Sequence, residues 1–351
     1  YLDSYKRERA NLCTFYFSET LTDSFKLELI HPKTEADWSY LQFNPTRDSL
    51  QLWVIDTLLS NTDTLNMRLD YIVKDTLDQF VYRTDTLEMY FKKKETKTKK
   101  KKKSSKKVRT KFINLSTNLT STGFDVYRNL KLDVPEPLMQ LDESGIHLYQ
   151  KVDTLEEELD FQILQDSTSI LKYYVEYPWE YETEYRFVID SASLKNYYGE
   201  PNNTLEKTFK IQKEGYYAKI ILTLSNVNGH SIVQLLKNNE DENVLQELKI
   251  EEDGQIEFPL LKPEKYKIRL IVDSNNNGKW DIGDIKNDIQ PEKVVYFQKI
   301  LKLRSNFEVR ESWDLPQDLQ FEKDLVDEDK EKNDSRKSSK SSSRSSRSRG
   351  L

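Results

Sequence analysis

The chain has 351 residues, 36% of them apolar and 32% charged, with a formal net charge of −6. That length suits two or three domains of about 100–150 residues each. With 9 Gly, the composition argues against a glycine-rich phosphate loop or a nucleotide-binding fold; a single Cys excludes an internal disulfide and leaves the redox compartment open. No apolar stretch approaches the roughly 18 residues of a membrane-spanning helix. The 20 Tyr and 15 Phe suit pleated, half-buried surfaces.

Alternation of apolar and polar residues predicts strands at 15–17, 25–30, 49–55, 65–73 and 86–91, then at 146–149, 159–163, 170–177, 185–189 and 217–224. It continues at 231–236, 244–250, 255–258, 266–272, 294–297 and 300–304. Sustained 3.6-residue periodicity is missing, and helical turns are expected only near 35–40 and 191–197. Short turns between period-2 segments indicate antiparallel sheets with one wet face, so the fold class is all-β, built of tandem β-sandwiches. Cys13, within Leu12-Cys13-Thr14-Phe15-Tyr16-Phe17, reads as a buried strand position.

Two segments break the pattern. Residues 92–107 are almost pure Lys with Ser and Thr; like charges repel and nothing there can be buried, so the run reads as a disordered excursion. It has no interleaved aromatics for base stacking, which argues against a nucleic-acid site. From about residue 316 the chain is acidic, then rich in Ser, Lys and Arg, and is expected to be disordered. The expected organisation is a β-rich domain at 1–112, β-sandwiches at 113–213 and 214–315, and a charged tail at 316–351. Tyr1 is not an initiating residue, so an upstream segment is expected to carry any targeting signal.

The strand at 266–272 runs into Asp273-Ser-Asn275-Asn-Asn277-Gly278-Lys279-Trp-Asp281-Ile-Gly-Asp284. Side-chain oxygens recur at the spacing of a calcium loop, with glycine where such a loop turns sharply and a backbone carbonyl on offer at Lys279. The expected ligand set for a structural Ca2+ is therefore Asp273, Asn275, Asn277, Lys279, Asp281 and Asp284. The loop follows a strand, so it is no EF-hand; an Asn/Gly turn held by its own hydrogen bonds is the other reading.

Several motifs carry a resemblance. Ile170-Leu-Lys-Tyr-Tyr-Val175, Trp179-Glu-Tyr-Glu-Thr183-Glu-Tyr185-Arg-Phe187-Val-Ile189-Asp190 and the segment Leu194 to Gly199 resemble the bacterial Ig-like pattern. Gly254-Gln-Ile256-Glu-Phe258, Leu261-Lys-Pro263-Glu-Lys-Tyr266, the Asp273 loop, Gln290-Pro291-Glu292 and Arg304-Ser-Asn306-Phe307-Glu308 resemble a transthyretin- or carboxypeptidase-regulatory-like sandwich, with Glu264 where such domains usually have Gly. Together with Tyr5-Lys6-Arg7-Glu8-Arg9-Ala10 and Leu52-Trp53-Val54-Ile55-Asp56-Thr57, these are similar to the C-terminal half of Ig-like-domain lipoproteins of Bacteroidota. The resemblance implies a cell-envelope, outer-membrane location, periplasmic or surface side, with an upstream lipid anchor and a partner among envelope proteins.

Asp-(Ser/Thr)-aliphatic tripeptides recur at Asp48, Asp56, Asp63, Asp75, Asp85, Asp153 and Asp190. They resemble the O-glycosylation sequon of exported Bacteroidota proteins and make Thr57, Thr64, Thr76, Thr86 and Thr154 glycosylation candidates. The alternative is structural: Asp ends a turn, Thr begins a strand and Leu enters the core.

His31, His147 and His230 are far apart and form no zinc or triad pattern; no G-x-S-x-G, P-loop or G-x-G-x-x-G is present. Glu180, Glu182 and Glu184 read as one solvated strand face, although facing carboxylates could serve glycoside hydrolysis. The tyrosines at 173, 174, 177, 181, 185, 197 and 198, with Trp179, read as core and cross-strand pairs, or as a stacking surface for sugars. The sequence thus points to a non-enzymatic binding or scaffolding protein with no catalytic residues, and alternatively to a carbohydrate-binding module of a surface glycan system.

Overall fold

A computed structural model describes residues 1–34, 37–75, 79–92, 111–120, 123–153, 155–283 and 287–316. The lysine run and the charged tail lie outside these residues, as do Thr76, Thr154 and Asp284. The described chain is almost entirely β, in two compact units: Tyr1–Gln212, and a second beginning at Lys213.

The first unit opens with β1 (Leu2–Arg9), β2 (Leu12–Phe17), β3 (Lys26–His31), β4 (Ser39–Phe43), β5 (Ser49–Val54), α1 (Thr57–Asn61), β6 (Thr64–Lys74) and β7 (Phe80–Tyr90). A four-stranded sheet ordered β1-β2-β5-β4 faces a three-stranded sheet ordered β3-β6-β7. Alternation decides which residues face inward: Cys13, Phe15, Leu50 and Leu52 from one sheet meet Leu65, Met67, Leu69 and Leu87 from the other. Cys13 is fully buried, and burial pushes its thiol up to about 12.

One buried cation is built into this layer. Arg7, only 4% exposed, donates to the carbonyls of Ala10, Ser60 and Thr62 at 2.7, 3.2 and 2.9 Å and reaches that of Leu59 at 3.4 Å. Its fork thereby supplies donors to the carbonyls of Ser60 and Thr62 at the C-terminal end of α1 and adds to the Thr62 cap on Leu59. The helix starts where Asp56 accepts from the Leu58 and Leu59 amides at 2.7 and 3.0 Å, an N-cap. At this Asp-Thr-Leu site Thr therefore opens a helix, whereas Thr64 opens β6 and Thr86 lies within β7.

The rest of this unit comprises β8 (Ser116–Thr117), β9 (Leu130–Asp133), β10 (Leu138–Leu141), β11 (Ile146–Val152), β12 (Leu155–Glu158), β13 (Gln162–Gln165), β14 (Lys172–Glu176), β15 (Glu184–Ile189), β16 (Leu194–Asn196) and β17 (Leu205–Lys210). Sheets ordered β12-β11-β15-β17 and β13-β14-β9-β8 enclose a separate core, with β10-β16 as a small third sheet. Trp179 and Tyr185 sit in that core with rings 5.1 Å apart, against Phe209 and Phe124. The Trp179 indole donates to the Arg128 carbonyl at 2.9 Å, so its one polar atom has a partner.

Three expectations need correction. The helical turn expected near 35–40 is occupied at its end by β4, and that near 191–197 by β16; pairing with β5 and β10 supplies the hydrogen bonds that a local turn would have made. Glu180, Glu182 and Glu184 do not share a strand face. Glu182 has φ 61° in a turn, and only Glu184 enters β15, because the chain must reverse between buried Trp179 and buried Tyr185.

The second unit holds β18 (Ala218–Ser225), β19 (Ser231–Lys237), β20 (Val244–Ile250), β21 (Gly254–Leu261), β22 (Lys265–Val272), β23 (Val294–Tyr296), β24 (Leu301–Lys302) and β25 (Glu308–Asp314). One sheet is ordered β21-β18-β25; the other runs β20-β19-β22-β23, with β24 also on β22. The β18–β25 pair is parallel, a departure from the all-antiparallel expectation. Ile220, Leu222 and Phe258 meet Val233, Leu235, Ile268 and Leu270 between the layers.

Candidate functional site

The loop after β22 begins where the strand's buried row, Tyr266, Ile268 and Leu270, runs out. The Asp273 amide still donates to the His230 carbonyl at 3.0 Å, which extends the ladder by one bond. The chain then reverses with Asn276 at φ 54° and Gly278 at φ 74°. The positive φ at Gly278 favours glycine, and a Cβ there would displace the flexible end of the Lys249 side chain.

Asp273, 3% exposed, holds the turn: one carboxylate oxygen accepts from the Asn277 amide at 3.0 Å, the other from the Gly278 amide at 2.8 Å. The Asn275 and Asn277 side-chain oxygens accept from the amides of Asn277 and Lys279 at 3.0 and 2.8 Å. Their NH2 groups both donate to one Asp281 oxygen, at 2.5 and 2.7 Å. Glu292 closes the loop from the far side. Its two oxygens accept from the Ser274 and Asp281 amides at 2.7 and 3.2 Å, and its carbonyl accepts from the Trp280 indole at 3.0 Å.

The structure thus gathers Asp273, Asn275, Asn277 and Asp281 on one short loop and puts the Lys279 amide into the same network, while Asp284 lies outside the described residues. Among the described residues, no three His, Cys, Asp or Glu side chains form a metal-holding group. The donor set accordingly fits a hard, oxygen-seeking cation only if the two carboxamides rotate about χ2 to turn their oxygens toward Asp281 and the Lys279 carbonyl joins them. In the arrangement seen, those oxygens are spent on Asx turns. Sequence reasoning placed Glu292 in a resemblance motif and missed its clamping role, which depends on the approach to β23.

The remaining expected residues are dispersed. Thr57 and Thr86 are exposed and Thr64 is half-buried. His147 lies on an exposed strand face, with Nδ1 2.6 Å from Glu158. Glu156 makes a two-point ion pair with Arg186 at 2.9 and 2.5 Å, which holds its carboxyl below the usual range. Of the aromatic series, Trp179 and Tyr185 are core. Tyr197 meets Tyr40 hydroxyl to hydroxyl at 2.9 Å, and the Tyr198 hydroxyl donates to the Val54 carbonyl. Tyr177 packs against Trp179 and Tyr185, Tyr174 donates to Asp166 at 3.0 Å, and Tyr181 is 37% exposed.

No protein family and no curated protein matches the chain. Among solved structures it is similar to alpha-2-macroglobulin from Escherichia coli, domains MG0-NIE-MG1, at 11% identity over 48% of this chain and 68% of that one, TM-score 0.25. It is similar to the N-terminal part of the bacterial S-layer protein SbsC at 13% identity, over 46% and 41%, TM-score 0.26. It is also similar to the Bacillus anthracis TIE protein at 9% identity, over 89% and 56%, TM-score 0.20. The chain spans about half the length of the last two or less. Likenesses this low carry nothing about function.

Proposed function

We propose that this chain is a non-enzymatic binding or scaffolding component of the bacterial cell envelope, at the outer membrane and in contact with other envelope proteins. The observation that carries the reading is β7. All eleven of its residues pair with β6, and its other edge pairs with no described strand. Phe80 is 69% exposed, Tyr82 81% and Tyr90 57%, and all three fall on the outward face of the strand. A strand unpaired on one side among the described strands, with exposed aromatics on its outward face, suits a protein partner. Location rests on the lipoprotein resemblance and on exposed Asp-Thr-Leu sites at Thr57 and Thr86. A photo-crosslinker at position 82, in native outer membranes, should give an adduct with one outer-membrane protein, weakened by Phe80→Ser. No adduct, or the same adduct from position 206 on β17, would overturn the reading.

Exported material is expected to be heavier than its peptide mass, with Thr57, Thr64, Thr76, Thr86 and Thr154 as acceptors, and intact-mass measurement decides this. Thr86 shares the outward face of β7 with Tyr82 and Tyr90, so the partner is expected on chains that carry no glycan there, whereas a glycan on Thr57, in α1, is compatible with it. Calcium is proposed as a structural ion at Asp273, Asn275, Asn277, Asp281 and Asp284 with the Lys279 carbonyl, bracing the loop after β22. The second reading, glycan binding, is favoured by a cleft elsewhere in the first unit.

A further inference from the structure

The outer face of the β1-β2-β5-β4 sheet carries a polar row where a sheet's exterior is ordinarily wet. Thr14 pairs with Gln51, and Gln51 with Gln42; the next row is Leu12, Trp53 and Tyr40. Cys13, Phe15 and Leu52 point the other way into the core, so these rows share one face. The 166–170 turn between β13 and β14 stands over this face, and the Gln42 amide donates to the Ser169 hydroxyl at 3.1 Å. Between turn and sheet lies a cleft of about 960 Å³, at the upper end of ordinary ligand sites.

Among the described residues, the buried side-chain polar atoms with no partner are Thr14 Oγ1, Gln42 Oε1 and Trp53 Nε1. All three stand on this one face, in two adjacent rows. Thr14 is 96% buried, at 4% exposure, and both Thr14 and Gln42 line the cleft. Buried polar groups are almost always paired, so orphans concentrated at one cleft mark where a missing partner belongs. The two orphans that line the cleft are a hydroxyl and an amide oxygen, while Trp53 stands in the next row outside it; the pair calls for a ligand that offers donors.

Two of the charges at the rim, Arg47 and Asp166, are committed to neighbours. Arg47 bonds Asp23 at 2.7 Å and lies over the Phe43 ring at 4.4 Å. Asp166 accepts from the Thr168 amide and hydroxyl at 2.7 and 2.6 Å and from the Tyr174 hydroxyl at 3.0 Å, with Lys172 nearby. Beside the Lys172 ammonium, what remains is hydroxyl and carboxamide, plus the Tyr16 ring, 45% exposed at the cleft mouth. A ring face beside neutral hydrogen-bonding groups is suited to the C–H face and hydroxyls of a sugar. We propose that this cleft binds a neutral oligosaccharide, with Thr14, Gln42 and Gln51 on its floor, Thr168 and Ser169 on its wall and Tyr16 stacking at its mouth. The site is independent of the partner edge, because β7 belongs to the other sheet and each can be lost without the other.

The full chain, titrated by calorimetry and ligand-observed NMR with short cello-, malto-, xylo- and manno-oligosaccharides, should bind at least one series. Thr14→Val and Gln42→Leu should each weaken that binding about tenfold or more, with Thr14→Val melting no lower than the parent. Tyr16→Ala alters an exposed ring and should weaken binding without disturbing the fold, which keeps the test decisive if a floor variant misfolds. Binding of no series, binding indifferent to all three substitutions, or preference for uronate or sulfated sugars would overturn the proposal.

Discussion

The Asp273 loop and the Thr14 cleft solve opposite problems in hydrogen bonding. In the loop, carboxylates and carboxamides spend their bonds on one another and on backbone amides within about twenty residues of chain, from Asp273 to Glu292. In the cleft, two buried polar atoms from different strands, Thr14 Oγ1 and Gln42 Oε1, have no partner among the described residues. A self-satisfied loop needs no ligand to be stable, so a cation there can only add bracing. An unsatisfied cleft is the costlier feature to keep, since each orphan forfeits its hydration, and it gains most from a bound molecule.

The contrast can be tested from its largest consequence downward. Arg7→Leu should cost about 3 kcal/mol in the unfolding of the first unit, because it removes a buried guanidinium that donates to the carbonyls of Ala10, Ser60 and Thr62; chemical denaturation that shows less than about 1 kcal/mol would mean water replaces the guanidinium. Asp273→Ala should cost the second unit about 2 kcal/mol by stranding two loop amides. An unchanged melt would show that the loop is not self-supporting through that carboxylate.

Calcium should bind with a Kd in the range of extracellular modules, about 10⁻⁴–10⁻³ M, and at roughly ten times Kd should add only about 1.4 kcal/mol. Calorimetry with no heat at millimolar calcium, and a melt unmoved by chelator, would leave the loop as a pure Asx turn. Smaller still at neutral pH is the Cys13 contribution. Its folded thiol titrates near 12 against an ordinary 9.0, so its stabilisation is complete below pH 9.0 and is lost as pH rises toward 12. The stability gap between the parent and Cys13→Val should therefore hold constant below pH 9.0 and shift against the parent above it. Thr14→Val should leave stability unchanged or raise it by up to about 1 kcal/mol, because the buried hydroxyl it deletes has no partner; a clear loss would mean a bound water satisfies it.

Much of the fold was legible because period-2 alternation is a local signal. Leu65, Met67 and Leu69 alternate along β6, Tyr266, Ile268 and Leu270 along β22, and both segments were expected. Strands with little apolar content escaped: β12 is Leu-Glu-Glu-Glu, exposed throughout, and exists through pairing with β11. β25 was missed because it is recruited in parallel to β18, some ninety residues earlier. The Asp56 site shows the same limit from the other side, since Asp-Thr-Leu serves equally as a helix cap and as a strand start, and only the Arg7 clamp distinguishes them here.

By itself the sequence determined the all-β class, the buried Cys13 and the Asp273–Asp281 loop, because each is written in residues close together along the chain. Tertiary structure alone decided that Arg7 closes α1, that Glu292 clamps the loop, that β7 pairs on one side only among the described strands, and that Thr14, Gln42 and Trp53 share one face. Those outcomes depend on which strands pair and which layers stack, and hydrogen-bond partners and burial at such places are set by neighbours far away in sequence.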